Sequence, residues 1–76
     1  MELEEFIDKV AEQFENTDRS LFTADTKLFE LDEWSSLIAL TIISMVDDEY
    51  DVAIKASDLK GISTIGEFYE VVKSKM

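Results

Sequence analysis

Residues 36–49 read SLIALTIISMVDDE, the most apolar stretch of the chain, and this stretch decides the fold. Placed at about 100° per residue on a helix, it has one fully apolar side. The members of that side are Ala39, Ile42, Ile43 and Val46. A helix that is apolar on nearly every side is either central in a core or exposes apolar surface to a partner. We therefore predict a helix over 36–49 in which Leu37, Leu40 and Ile38 either form an exposed apolar patch or are covered by the loop before them.

Two further segments have the spacing of amphipathic helices. Residues 3–14 carry apolar side chains at intervals of three and four, and residues 65–75 do the same after the capping box Thr64-Ile65-Gly66-Glu67. Residues 56–59 fit one short helical turn. The sequence therefore predicts an all-α single domain over residues 1–76: a small bundle of three main helices plus one short helix. A long loop over residues 16–35, between helices one and two, is expected to pack across the bundle.

The composition excludes several classes of site. The chain has no Cys, so it has no disulfide framework and no thiolate metal site. It also has no His, the residue that most often serves as a general base. Ser35 and Ser36 therefore have no His to activate them, and we predict that the protein is not an enzyme. The acidic run over 47–51 contains no Gly and begins on a helix, so no metal site is expected. The residues MELEE are not a signal peptide, and no stretch is long enough to span a bilayer, so we expect a cytoplasmic protein without membrane insertion.

Negative charge is concentrated in the first two-thirds of the chain. The net charge is -11, and residues 1–51 carry fifteen acidic and three basic residues, whereas residues 52–76 carry three and four. This balance argues against nucleic acid as a partner, because nucleic acid needs a basic face. Acidity alone can serve solubility. It also fits a partner protein with a basic patch, for which opposite charge raises the association rate.

Two serines stand where the long loop meets the most apolar helix. Ser is a preferred N-cap residue, so one of Ser35 and Ser36 is expected to cap this helix. The other hydroxyl would lie at a helix N-terminus, where free amides and the helix dipole favour a phosphate group. The pair is thus a reasonable place for a phosphoester, although a cap alone would also explain it.

At these residues the sequence resembles an acyl carrier protein over essentially its whole length. The resemblance rests on Leu28-Phe29-Glu30, on Ser36-Leu37 opening an apolar helix, on the acidic end Asp47-Asp48-Glu49-Tyr50-Asp51, and on Ile62-Ser63-Thr64-Ile65. It implies that Ser36 is the attachment site for 4′-phosphopantetheine, transferred from coenzyme A by a separate phosphopantetheinyl transferase. The terminal thiol of this arm would hold an acyl group as a thioester, so the protein needs no Cys of its own.

The resemblance also implies partners and a place for the cargo. The expected partners are the transferase and acyl-loading and acyl-transfer enzymes with basic docking patches, which would bind a monomer. The expected contact residues are Leu37, Ile38, Leu40, Thr41, Asp47 and Asp48. The expected shelter for an acyl chain is lined by Ala39, Ile42, Ile43, Val46, Ile54, Ile62 and Phe68.

Some positions depart from the family's usual pattern. Ser35 replaces the Asp of the usual Asp-Ser-Leu, and Asp32-Glu33-Trp34 replaces a Leu-Gly segment. These departures favour a dedicated carrier for a specialised pathway over the housekeeping carrier of fatty-acid synthesis. The expected role is a freestanding acyl carrier for fatty-acid, polyketide or other specialised lipid synthesis. Two alternatives stay open: a peptidyl or aminoacyl carrier that uses the same arm, and an unmodified acidic helical interaction module.

Overall fold

The computed structural model describes residues 2–76, which form four α-helices joined by irregular segments. The helices are α1 (Leu3–Ala11), α2 (Ser36–Tyr50), α3 (Ala56–Lys60) and α4 (Ile65–Ser74). Two short 3-10 turns, Arg19–Leu21 and Leu28–Glu30, lie in the long loop between α1 and α2. Residues 2–76 contain no β-strand. The predicted all-α bundle of three main helices and one short helix is therefore confirmed.

The first helix is shorter than the sequence spacing predicts. The predicted segment 3–14 continues past Ala11 as tighter turns, in which the amide of Gln13 bonds the carbonyl of Val10 and the amide of Phe14 bonds that of Ala11. The prediction was wrong for residues 12–14 because the chain tightens here to turn inward. Phe14 is nevertheless buried, and its ring centroid lies 5.1 Å from that of Phe22 in the long loop.

All four helices and the long loop contribute to one hydrophobic core. Its buried members are Phe6, Ile7, Val10, Ala11, Phe14, Phe22, Leu28, Ile42, Met45, Val46, Val52, Ile54, Leu59, Ile62, Ile65, Phe68 and Val72. Two of these residues, Phe22 and Leu28, come from the loop, and Leu28 is fully buried. The expectation that the loop packs across the bundle is thus confirmed.

The helices α1 and α2 run antiparallel. Phe6, near the start of α1, packs against Tyr50 at the end of α2 with ring centroids 5.9 Å apart. Phe6 also makes edge-on contacts with Phe68 and Tyr69 of α4, at 5.2 and 5.7 Å. Edge-to-face pairs at such distances add to the stability that burial alone provides. One side chain of α1 therefore joins all three main helices at this end of the bundle.

Backbone hydrogen bonds fasten the long loop to the start of α4. The amide of Ile65 bonds the carbonyl of Thr26 at 3.0 Å, and the amide of Gly66 bonds the carbonyl of Ala24 at 2.8 Å. The first amides of a helix have no partner within the helix. The loop carbonyls satisfy these two amides and hold the loop in a defined position.

The predicted capping box at the start of α4 is present with one change. The Thr64 hydroxyl accepts a hydrogen bond from the amide of Glu67 at 3.1 Å. The Glu67 carboxylate reaches back to the amide of Ser63 at 2.6 Å, one residue before the cap. These side-chain bonds satisfy further terminal amides, so the beginning of α4 is fixed by residues on both sides of it.

We predict opposite effects of alanine at the two glycines. A Cβ at Gly66 would lie 3.0 Å from the carbonyl oxygen of Ala24, an atom that is itself held by the Gly66 amide. A Cβ at Gly61 would lie 3.9 Å from the nearest atom, the carbonyl oxygen of Asp58, which is an ordinary contact. Gly61→Ala should leave the free energy of unfolding unchanged or raise it by about 0.5 kcal/mol. Gly66→Ala should be less stable than Gly61→Ala by about 1 kcal/mol.

Urea unfolding of both variants and the wild type measures this difference. Equal stability of the two alanine variants would contradict the close approach of the loop to α4.

Candidate functional site

Ser35 and Ser36 take different roles at the start of α2. Ser35 is the N-cap: its backbone is extended, and its Oγ accepts a hydrogen bond from the amide of Ile38 at 3.3 Å. Its carbonyl accepts the amide of Ala39 at 3.0 Å. Ser36 is the first residue of the helix and is exposed, and within residues 2–76 its hydroxyl has no hydrogen-bond partner. The structure thereby resolves which serine caps the helix and leaves the Ser36 hydroxyl available.

The side of α2 that follows Ser36 presents apolar side chains to solvent. Leu37 is 69% exposed and Leu40 is 61% exposed, so the long loop does not cover them. Ile38 lies to one side, is half-buried and packs against the core. Thr41 is also half-buried, and its hydroxyl donates a hydrogen bond to the Ile38 carbonyl at 2.8 Å. The patch considered from the sequence is therefore centred on Leu37 and Leu40.

An open groove of about 400 Å³ runs beside this helix. It is lined by Gln13, Leu40, Thr41, Ser44, Met45, Asp48 and Glu49. The structure thus brings three of the predicted contact residues, Leu40, Thr41 and Asp48, to one surface. Asp47 is exposed beside them on the same helix.

An ion pair changes the charge pattern at the end of α2. Lys9 of α1 lies 3.1 Å from the Glu49 carboxylate. The hydrogen bond and negative charge of Glu49 raise the pKa of Lys9 above its ordinary value, so Lys9 stays protonated. Among the described residues, Asp47 and Asp48 have no such cationic partner. The uncompensated negative charge near the groove therefore belongs to these two residues.

The buried side of α2 differs in detail from the sequence prediction. Ile42 and Val46 are fully buried as expected, but Met45 is buried while Ile43 and Ala39 are only half-buried. The buried side is therefore rotated toward Met45. The reason is that α1 lies along this side of the helix: Lys9 of α1 pairs with Glu49, which lies one turn beyond Met45 on the same face.

Two features near the serines were not recognised from the sequence. Phe29 and Trp34 stack edge-on with centroids 4.9 Å apart, and Phe29 is 41% exposed. Glu33 binds residues that lie 16 to 18 positions earlier in the chain. Neither contact follows a helical period, so no spacing rule could have revealed it. Among residues 2–76 no cluster of three or more acidic side chains has the arrangement of a metal site.

The family is decided by a match over nearly the whole chain. The family model for the phosphopantetheine attachment site matches residues 4–72. The chain belongs to this family of carrier domains. No curated protein sequence matches it. The solution structure of a holo acyl carrier protein from Geobacter metallireducens is similar in fold, with a TM-score of 0.77 at 20% identity over 96% of this chain and 83% of that one.

Carrier domains of this family are non-catalytic and carry a covalently attached 4′-phosphopantetheine arm. The site fits such a group, because an exposed, unpartnered hydroxyl stands at the N-terminus of a 15-residue helix. The amides of Ser36 and Leu37 have no partner in the first turn, and the helix dipole there favours a phosphate. The carrier has no helix, within residues 2–76, that is long and apolar enough to cross a membrane.

The two serines should contribute differently to the stability of this carrier. Ser35→Ala removes the oxygen that satisfies the Ile38 amide and should lower the free energy of unfolding by up to about 1 kcal/mol. Ser36→Ala removes an exposed hydroxyl without a partner and should change it by less than about 0.5 kcal/mol. Chemical unfolding followed by circular dichroism checks both values. A larger loss in Ser36→Ala than in Ser35→Ala would reverse the assignment of the cap.

Proposed function

We propose that this protein is a freestanding acyl carrier whose arm is attached to Ser36. In this reaction the Ser36 Oγ forms a bond to the phosphate of the arm as the bond to the nucleotide part of coenzyme A breaks, and the hydroxyl proton leaves. The thiol at the end of the arm then holds the acyl group as a thioester and presents it to partner enzymes. The arm supplies this chemistry, and the chain supplies its attachment and the surface that partners bind.

The observation that carries the proposal is the division of roles between the two serines. A hydroxyl that already accepts a helix amide would have to give up that bond to be modified, as Ser35 would. Ser36 has no such bond and is exposed at the positive end of the α2 dipole. The family requires a modified serine, and Ser36 is the one whose modification leaves the cap intact.

We further propose that partner enzymes dock on α2 through the expected contact residues. Leu37 and Leu40 offer an apolar contact within four residues of Ser36. Asp47 and Asp48 lie at the far end of the helix, where their charge would face a basic patch. Thr41 lines the adjoining groove, and Ile38 contributes the edge of its half-buried side chain. Buried apolar anchors govern affinity, whereas rim charges govern the association rate.

The proposal extends to the biological setting. It places the protein in the cytoplasm as a monomer that serves fatty-acid, polyketide or other specialised lipid synthesis. The acidic composition and the absence of Cys support this setting. Five of the seven residues expected to line an acyl chain are buried, namely Ile42, Val46, Ile54, Ile62 and Phe68. A long acyl chain would therefore have to separate packed side chains to enter the core.

Attachment at Ser36 is tested by labelling the protein from coenzyme A with a broad-specificity phosphopantetheinyl transferase. The wild type and Ser35→Ala should each gain one arm, and Ser36→Ala should gain none, because only Ser36 offers a free hydroxyl in the correct register. Intact mass measures the gain. Circular dichroism of Ser36→Ala serves as the control for folding.

Two results would contradict the assignment. Labelling of Ser36→Ala would place the arm elsewhere. A wild type that no transferase modifies would favour the unmodified interaction module. Loading of the labelled protein by aminoacyl ligases, and not by acyl ligases, would instead favour the peptidyl carrier.

The docking surface predicts distinct effects of an apolar and a charged substitution. Leu40→Ala should raise the KM of a partner acyl-transfer enzyme for the loaded carrier by about 10-fold, the equivalent of about 1.4 kcal/mol. Asp47→Asn should raise KM only at low salt, because exposed charges are screened at higher ionic strength. Steady-state kinetics at low and moderate salt separate the two effects.

The matched control for the leucine is Leu21→Ala, since Leu21 is 58% exposed but lies in the long loop. This variant should keep the wild-type KM. Equal effects of Leu40→Ala and Leu21→Ala would contradict docking on α2.

A further inference from the structure

One carboxylate joins residues 15–17, which follow α1, to the segment that leads into Ser36. The Oε2 of Glu33 accepts the amide of Glu15 at 2.9 Å. Its Oε1 accepts the amide of Asn16 at 3.0 Å and the hydroxyl of Thr17 at 2.6 Å. Both oxygens are used, and the three donors follow one another in the chain. We call this set of hydrogen bonds the Glu33 tie.

The other backbone hydrogen bonds of this segment are local: the Leu31 amide bonds the Leu28 carbonyl at 3.2 Å, and the Trp34 amide bonds the Leu31 carbonyl at 3.0 Å. Asp32, the cap residue Ser35 and Ser36 are exposed. Apolar support comes from Leu31 and Trp34, which are only half-buried against the core. The polar contacts of Glu33, three residues before Ser36, therefore help to hold the segment before α2 to residues 15–17 of the long connection after α1.

The negative charge of Glu33 strengthens the tie. Hydrogen bonds from donors to an ionised carboxylate are roughly twice as strong as those between neutral groups. The Thr17 hydroxyl, followed by the amides of Asn16 and Glu15, lowers the pKa of Glu33 below its usual value, although partial burial acts in the opposite direction. The carboxylate is thus ionised at neutral pH even though Asp18, Glu30 and Asp32 line the same groove.

We propose that Glu33 is a positioning residue for attachment of the arm. By holding the segment before the cap to residues 15–17, it keeps the Ser36 hydroxyl where a transferase reaches it. The docking side chains Leu37 and Leu40 belong to the helix that follows, four and seven residues beyond Glu33, and are exposed. Loosening the tie should therefore lower the rate of transfer and leave the binding of the carrier largely unchanged. This inference rests on the proposed modification of Ser36.

The test compares the kinetics of transfer from coenzyme A in the full chain. Glu33→Gln replaces one carboxylate oxygen by an amide group that donates toward other donors. It should lower kcat about 3- to 10-fold, since small misplacements of a reacting group are costly. The KM for the carrier should stay within about twofold of the wild-type value. Glu33→Asp keeps the charge on a shorter side chain and should recover part of the rate. Asp32→Asn removes the same charge one residue earlier and should keep the wild-type kcat.

A second variant cuts the tie from its other end. Thr17→Val keeps the shape of the side chain but removes the hydroxyl bond of 2.6 Å to Glu33. It should lower kcat by less than Glu33→Gln does. The kcat of the double variant, Thr17→Val with Glu33→Gln, should be at most about twofold below that of Glu33→Gln alone, because the two residues act through one contact.

A stability control separates positioning from general loosening of the fold. Val72→Ala creates a cavity in the fully buried core of α4, far along the chain from the tie. Assayed at a temperature at which all variants are folded, it should keep the wild-type kcat despite a lower melting temperature. Nuclear magnetic resonance gives a readout without any transferase: the amide protons of Glu15 and Asn16 should shift upfield in Glu33→Gln and not in Asp32→Asn.

The outcomes distinguish this inference from the function on which it rests. If the wild type is labelled and Glu33→Gln keeps the wild-type kcat, or loses no more than Val72→Ala, the positioning role is overturned. Unchanged amide shifts in Glu33→Gln would overturn the tie itself. If the wild type is never labelled while the amides shift as expected, the tie stands as a structural contact, and attachment and positioning both fail.

Discussion

The burial of Phe22 and Leu28 is the constraint on which the rest of the structure depends. A chain of 76 residues buries a modest share of its surface, so its core has few members to lose. The long loop adds these two buried residues to the core that the helices form. Because the loop also bonds the first amides of α4 and ends at Ser35, the same segment contributes to the core, to the start of α4 and to the cap of α2.

The proposed attachment site lies at the end of the bundle where the loop meets α2. There the Ser36 hydroxyl has no partner within residues 2–76, and Leu37 and Leu40 are exposed to solvent, so these side chains contribute little to the stability of the isolated domain. The remaining apolar residues of α2 are buried or pack against the core. A carrier must present its arm and a surface to successive enzymes, and a rigid helix beside the attachment point provides both without any catalytic group of its own.

Much of the fold could be predicted from the sequence, because it rests on local rules. Periodicity located α2 and α4 nearly to the residue, and the Thr64 and Glu67 pattern located the cap of α4. The predicted end of α1 was wrong, since the inward turn that buries Phe14 packs it against Phe22, which lies outside the helix.

The same distinction between local and distant contacts holds at the site. Residue type alone predicted that one of the two serines caps α2. It could not tell which one, because Ser35 and Ser36 have equal capping propensity and only the backbone geometry distinguishes them. The Glu33 tie spans 16 to 18 residues and has no sequence signal.

The central claim is that Ser35 caps α2 and thereby leaves Ser36 to carry the arm. The most direct measurement is mass spectrometry of the protein isolated from its native host, with fragmentation to locate any added group. The account predicts one phosphopantetheine on Ser36, with or without an acyl group on its thiol, and an unmodified Ser35. An adduct on Ser35, or a population without any phosphopantetheine in cells that modify their other carriers, would contradict it.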